Sequence, residues 1–298
     1  RDMPFMVSRG CPYRCTFCSN ENMWTTRYIL RDIEDVVAEL KKYVSQYDIT
    51  SVQLYDLTAI IKKKWLMKLA DRLVEENIDI QWSTPSGTRS EALDHESLAA
   101  LKNIGCTYLV YAPESGAPST LKRIQKQIEL PRLTASVREA KKQGFTVRIN
   151  LIIGFPEESW RELWQTVWYG FKMSILGVDE APLYIYSPYP GTIMFDQLYA
   201  EKKLSINDEY FLRLSSLNSA YLSSDIISFN PNMNPRILGL IRLVAMLTNY
   251  GIGYLVYPKR ILRTWRIICG KGHQSFTVLE HRLKDLAQRR QNTPDGVI

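Results

Sequence analysis

From residue 4 to about residue 186, short apolar runs alternate with longer stretches whose apolar positions recur every three or four residues. The runs at 4–7, 51–55, 79–83, 108–111, 147–153 and 181–186 read as strands, and the stretches at 33–47, 62–76, 95–104, 133–144 and 160–173 as helices. In the first helical stretch Ile33, Val36, Val37, Leu40 and Tyr43 or Val44 fall at the steps one buried face requires. Leu151, Ile152 and Ile153 show no polar alternation, as expected of a strand covered on both faces of a parallel sheet. Six strand–helix units predict a parallel α/β architecture with right-handed crossovers.

A doubly wound sheet and a barrel both satisfy that pattern. The polar positions separate them. Residues 11–18, Asp56, 84–89, 114–116, 156–158 and 188–192 each follow a strand. Chemistry gathered from several strand ends at one rim is what a barrel provides. The reading is an α/β fold with a partial, TIM-like (β/α)6 barrel over 1–195 and a mainly helical C-terminal extension over 196–298. In the extension Asn234 and Pro235 supply an N-cap and a proline at the first helical position.

The chain has 298 residues, 45% hydrophobic and 23% charged, which excludes a disordered or fibrous protein. Its net charge of +7 is uneven: between Pro258 and Arg290 nine basic residues meet two acidic ones, an excess equal to that of the whole chain. A body coated for nucleic acid is therefore not expected, and a locally basic tail is. Along 258–269, Lys259, Arg263 and Arg266 fall on one side of a helix with Arg260 beside them, and Ile261, Leu262, Trp265 and Ile268 fall opposite. One reading is a helix lying on a membrane surface, with Tyr250, Tyr254 and Tyr257 as an interfacial belt. The other is an apolar face packed on the barrel with solvated bases. The longest uncharged run in this tail, 243–258, has 16 residues, short of the ~20 that span a bilayer.

Five cysteines in a chain of this length do not read as a secreted disulfide scaffold, and a reducing, cytoplasmic compartment is expected. Three of them form Cys11-x-x-x-Cys15-x-x-Cys18. A structural zinc site wants four ligands, and His95, His273 and His281 are all distant in sequence. Completion by Cys106 or Cys269 stays open, although these two read better as small buried hydrophobes. A 4Fe–4S cubane takes thiolates, and three of them leave one iron free for a small molecule.

The segment Arg9-Gly10-Cys11-Pro12-Tyr13-Arg14-Cys15-Thr16-Phe17-Cys18 resembles the cluster loop of radical S-adenosylmethionine (SAM) enzymes. Tyr111 to Gly116, Ile153 to Pro156 and Pro188 to Thr192 extend the resemblance over about two thirds of the chain, to the branch usually fused to a cobalamin-binding domain. That branch includes methyltransferases and the anaerobic cyclase of chlorophyll synthesis. The resemblance implies that Cys11, Cys15 and Cys18 hold three irons while SAM chelates the fourth. It further implies that Phe17 lies against the adenine, that Glu114 receives the SAM ammonium, and that Ser115, Arg148, Asn150, Ile153 and Gly154 line the cofactor. Asp56, Trp82, Tyr186 and Tyr189, with Tyr111 and Tyr184, would face substrate or cobalamin. A reductant such as flavodoxin or ferredoxin, a hydrophobic small-molecule substrate and a cobalamin domain before residue 1 complete the expectation.

Departures from the family pattern are specific. Ala112 and Pro113 stand where relatives often carry two glycines, and proline offers no N–H to SAM. Asp56 is followed by Leu57 where many relatives pair two aspartates. No histidine sits in the pattern that binds base-off cobalamin. Blander readings stand beside these. Glu114 could serve a helix start, residues 188–192 a turn, and Arg148 and Asn150 ordinary strand polarity. At the level of function, methylation of an unactivated carbon competes with oxidative cyclisation or rearrangement. It also competes with a non-catalytic metal-binding module that docks RNA or a membrane.

Overall fold

The computed structural model describes residues 1–89, 93–216, 226–269 and 277–292. Strand β1 (Asp2–Phe5) is followed by the short β2 (Ser8–Arg9), α1 (Asn20–Trp24) and β3 (Ile29–Leu30). The repeating part comes next: α2 (Ile33–Tyr47), β4 (Ser51–Leu54), α3 (Lys63–Glu75), β5 (Gln81–Thr88), α4 (His95–Asn103) and β6 (Cys106–Glu114). After α5 (Pro118–Arg123) and α6 (Leu130–Lys142) come β7 (Thr146–Ile153), α7 (Trp160–Leu176) and β8 (Leu183–Ile185). The remaining helices are α8 (Ile193–Ala200), α9 (Asp208–Ser216), α10 (Pro235–Val256), α11 (Lys259–Ile268) and α12 (Val278–Asn292).

The six main strands lie in the order β1-β4-β5-β6-β7-β8, every neighbouring pair parallel. Strand order equals chain order, with no reversal, so each crossover steps the same way around. A doubly wound sheet would turn back at a switch point. This is the partial barrel. Helix ends are set by local chemistry: Asp32 accepts from the Glu34 and Asp35 N–H groups to start α2, and Ser159 with Glu162 forms a capping box on α7. Two elements between β1 and α2 escaped the periodicity reading, the antiparallel pair β2–β3 and α1, because each is too short to show a period.

The sheet's outer face packs on the helices. Trp82, Leu109, Val147, Ile149, Leu151 and Ile153 share one core with Leu66, Leu98, Leu133, Val137, Leu163 and Val167. The alternate strand residues, including Tyr108, Arg148, Asn150, Ile152 and Tyr184, are half-buried and face inward. The Leu151–Ile153 run is therefore not covered equally on both faces. Helix α10 closes the β8 edge: Asn249 donates from Nδ2 to the Ala181 carbonyl at 3.0 Å and accepts from Ser174 Oγ at 2.9 Å. At the strands' N-terminal ends α12 crosses a cavity of about 400 Å³ lined by Ser51, Gln81, Thr107, Thr146 and His281.

Helix α11 does not pack its apolar face on the barrel. Two of its four bases, Arg260 and Arg263, turn inward, while Lys259 and Arg266 stay exposed. Arg260 reaches the Gly177 and Val178 carbonyls and lies 3.3 Å from Asp179, while Arg263 donates to Glu280 at 2.8 Å and lies 3.4 Å from Asp179. Ile261, Leu262, Trp265 and Ile268 face outward, and only Ile267 and Thr264 are buried. Buried carboxylates exert a stronger pull on two guanidinium groups than the core exerts on one more apolar face. Cys269 is exposed rather than buried, whereas Cys106 is buried as expected. Lys271 and His273 lie outside the described residues.

Candidate active site

The loop carrying Cys11, Cys15 and Cys18 leaves the barrel after β2 and is fastened along its length. Gly10 adopts φ +76°, and a Cβ there would fall 2.0 Å from the Arg27 carbonyl oxygen, so only glycine lets the loop pass beside β3. Asn20 donates from Nδ2 to the Cys11 carbonyl at 2.9 Å. The Thr16 backbone is strapped on both sides, its N–H to the Ile124 carbonyl and its carbonyl to the Met194 N–H, each at 3.0 Å.

Cys11 and Cys15 are partly buried and Cys18 is exposed. Burial pushes the Cys11 and Cys15 thiols up, and in both the charge of Cys18 adds to the effect, so the three sulfurs are electrostatic neighbours. Among the described residues no three Cys, His, Asp or Glu side chains close on one point as a lone metal ion demands. Cubane thiolates bind separate irons and need not converge on a single point.

Glu114, at the end of β6, follows a register irregularity and holds φ +68°, a left-handed conformation rare outside glycine. Such local strain points to a constrained side chain. Its Oε1 accepts from Lys126 Nζ at 2.9 Å, with both side chains about nine-tenths buried. Burial opposes the Lys126 charge, but Glu114 and Cys15 outweigh it and hold the ammonium above its ordinary value. The same ammonium stands 5.9 Å from the Phe17 ring centre. Arg89 completes the group, stacking 3.5 Å over the Tyr13 ring and donating to the Gln127 carbonyl. Both cations lower the thiol values of Cys11 and Cys15. Arg89 closes the polar segment 84–89 at the end of β5, and Lys126 belongs to no sequence motif. Lys126 comes from the α5–α6 connection, where no spacing marks it.

Phe17 belongs to an aromatic and aliphatic cluster with Phe155, 6.0 Å away, and with Ile152, Tyr186 and Phe195. Tyr186 is 2% exposed with its ring 5.1 Å from Phe155; it supports the loop from behind and faces no open surface. Ile153 is fully buried on the helix side, so Ile152 is the residue of that run that meets Phe17's cluster. Gly154 holds φ +80° and donates its N–H to Glu158 Oε2 at 2.6 Å. Glu158 is 1% exposed, and burial pushes its carboxyl up to about 8 against the Gly154 hydrogen bond.

Other expected site residues are spent elsewhere. Ser115 is fully buried, its Oγ bonded to Thr166 Oγ1 at 2.8 Å and accepting the Ala117 N–H at 3.1 Å, so it ties α5 to α7 rather than a cofactor. Asp56 is fully buried and accepts from the Val7 N–H, the Ser8 N–H and Ser8 Oγ. It clamps the exit of β1 toward the cysteine loop and faces no substrate. Trp82 packs in the helix-side core, and Tyr111 donates or accepts with Ser136 of α6, because the strand parity places both on the outer face. Arg148 and Asn150 do face inward but bond each other at 3.0 Å, with Tyr184 and Glu180 also on Arg148. Arg148 pairs with Val110, four residues before Glu114 and about 13 Å down the strand at ~3.3 Å per residue. Tyr189 stays on the rim, 44% exposed.

The residues that do converge fit a 4Fe–4S cluster carrying an amino-acid chelate. Three thiols lie on one fastened loop, a buried carboxylate already holds an ammonium, and buried cations stand beside the sulfurs.

The Radical SAM superfamily profile matches residues 5–167. An uncharacterized methyltransferase of Pyrococcus horikoshii is 32% identical over 199 residues, 67% of this chain and 42% of that protein. The anaerobic magnesium-protoporphyrin IX monomethyl ester cyclase of Rubrivivax gelatinosus is 24% identical over 192 residues, 64% of this chain and 34% of that protein. The chain thus spans less than half the length of these relatives. In fold it resembles the radical SAM methyltransferase TsrM of Kitasatospora setae, solved with cobalamin and a 4Fe–4S cluster. The TM-score is 0.57 at 18% identity, over 66% of this chain and 39% of that one.

Proposed function

The chain belongs to the radical SAM superfamily, and we propose that it is the catalytic portion of a cobalamin-dependent enzyme that methylates an unactivated carbon of a hydrophobic substrate. The observation that carries the cofactor half is the buried Glu114–Lys126 pair beside Cys15. When bound through Cys11, Cys15 and Cys18, a 4Fe–4S cluster supplies an electron that splits SAM into methionine and a 5′-deoxyadenosyl radical. Glu114 binds the SAM ammonium in place of Lys126, and the released Lys126 is placed to meet the SAM carboxylate through a charge-assisted bond. Phe17, Ile152 and Phe155 supply the apolar wall that keeps water from the adenine side.

Support for a hydrophobic substrate comes from a cavity of about 650 Å³ beside β8, which lies on the Arg148 side of the barrel, below the cysteine loop, and suits the apolar tail of a molecule whose reacting carbon lies at the rim. Arg148, Glu180 and Tyr184 form its polar floor, and Leu243, Met246 and Tyr250 of α10 its wall. This volume lies in the range of small-molecule sites. A lipid, isoprenoid or polycyclic natural product fits such a lining. A methyltransferase-named relative supports methyl transfer, and cobalamin in a related fold supports a cobalamin domain joined to this chain. The reductant is a flavodoxin or ferredoxin, and the protein works in the cytoplasm at the inner face of the membrane. The cyclase relative favours a second reading, oxidative cyclisation without methyl gain.

Anaerobic reconstitution tests the reading. The protein should take up ~4 iron and 4 sulfide per chain, lose them in Cys15→Ala, and release 5′-deoxyadenosine from SAM under a strong reductant. Absence of iron uptake removes the cofactor reading. A product heavier by one CH₂ supports methylation, and 5′-deoxyadenosine release with no such gain supports cyclisation.

A further inference from the structure

We propose that the outer faces of α7, α10 and α11 form a docking surface for an anionic lipid bilayer. The proposal gives residues and a charge requirement to the membrane location above but does not depend on the radical chemistry. Its first support is the inverted seating of α11. A helix held on soluble protein by its arginines, with Leu262 60% and Trp265 58% exposed, shows the aqueous side what a core helix would hide. The neighbouring helices continue the surface. Trp168 of α7 is 66% exposed and Leu255 at the end of α10 is 84% exposed. The three helices are joined by Asn249 to Ser174, by Tyr257 Oη to the Ile175 carbonyl at 3.0 Å, and by Tyr254 to Thr264. Large apolar side chains left exposed on three helices bonded to one another are uncommon on a monomer without a partner surface.

Charge identifies the occupant. From residue 226 to residue 279 the chain contains no Asp or Glu but seven Lys or Arg. Across α7, α10 and α11 the sole carboxylate is Glu162, which is buried and paired with Arg123 at 2.8 Å. The exposed charges on these helices, including Lys259, Arg266, Arg161 and Lys172, are all positive. Two copies of the chain would bring like charges together, whereas phosphate headgroups complement them. Trp265 between Leu262 and Arg266 is the arrangement of a helix lying in the headgroup plane, with its basic ends reaching phosphate.

Co-sedimentation of the full chain with phosphatidylcholine vesicles, with or without about 30% phosphatidylglycerol, tests this. Binding to the anionic vesicles should exceed binding to neutral ones by about tenfold and weaken with salt. Leu262→Asp/Trp265→Asp should abolish it. Lys259→Glu/Arg266→Glu should erase the anionic preference. All four residues are exposed, so circular dichroism and melting should match wild type. No sedimentation with either vesicle, or binding that both variants leave unchanged, would overturn the proposal. So would a wild-type dimer by light scattering that Leu262→Asp/Trp265→Asp splits, which would assign the face to a second copy.

Discussion

Lys126 and Glu114 form a buried ion pair, Nζ to Oε1 at 2.9 Å, at the point where β6 ends beside the cysteine loop. An ion pair taken from water is costly unless its geometry is good or its partners are needed for something else. Here the carboxylate also carries a left-handed backbone. Both costs make sense if Glu114 waits for another ammonium and Lys126 for a carboxylate. Glu114→Gln and Lys126→Met should each weaken SAM binding to the reconstituted protein by roughly 10- to 100-fold, the worth of one hydrogen bond to a charged group. Iron content should be retained. Anaerobic equilibrium dialysis reads the first quantity and iron assay the second. Lost iron with unchanged SAM affinity would make the pair a mere brace for the loop.

Asp56 predicts a different phenotype. Its carboxylate accepts three donors from Val7 and Ser8 and touches no open surface. Asp56→Ala leaves the two N–H groups buried without an acceptor, at a cost of about 2–4 kcal/mol. Denaturant melts should show that loss, and the cysteines should react faster with a thiol reagent because β2 loosens. A variant with wild-type stability and only a raised substrate KM would restore Asp56 to the substrate face.

Much of this architecture could be read from pattern alone, and the failures have a common physical cause. The six strands and five helices were legible because each carries a repeated period, and the cysteine trio because its members are close in sequence. Alternation at period two shows that a strand has two faces. It does not say which is the barrel interior. Trp82, Tyr111 and Ile153 therefore read as rim residues but lie on the outer face, while Arg148 and Asn150 lie on the expected face but far from the rim. Lys126 was invisible because it acts from a connection, among Arg123, Gln125 and Gln127, through a partner twelve residues earlier. In α11 the two faces were plain. Their orientation depends on Asp179 and Glu280, which only folding brings to it.

Asp179 is the centre of that second network. Lys141 Nζ lies 2.5 Å from its Oδ2, which also accepts the Val147 N–H at 3.0 Å, and Arg260 and Arg263 flank Oδ1. Burial lowers the Lys141 and Arg260 values, and Asp179 is what opposes that loss of charge. Asp179→Ala leaves Lys141 and Arg260 without a carboxylate, while Arg263 keeps Glu280, and should destabilise the protein by about 3–5 kcal/mol. Limited trypsin digestion should then cut first within α11, at Arg260 or Arg263. An unchanged digestion pattern would mean that α11 is held by its packing and not by this carboxylate.

The last prediction concerns pH. Glu158 is buried behind Gly154, and burial raises its carboxyl from 4.5 to about 8, with Glu162 opposing ionisation and the Gly154 N–H favouring it. The folded state thus holds a proton that the unfolded chain releases near its ordinary value. The stabilisation is complete below about 4.5, the unfolded value, and falls as pH rises until it levels off above about 8, the folded value. Within that window the slope attributable to one such group is at most about 1.4 kcal/mol per pH unit. Glu158→Gln is neutral throughout and should lack that pH dependence. Urea melts of both proteins at several pH values should therefore agree best at the acid end and diverge as pH rises, the wild type losing stability while the variant does not. Parallel profiles would mean that Glu158 is ionised in the fold, with its unpartnered Oε1 charged against Glu162, and the account of how Gly154 is held would have to be rebuilt.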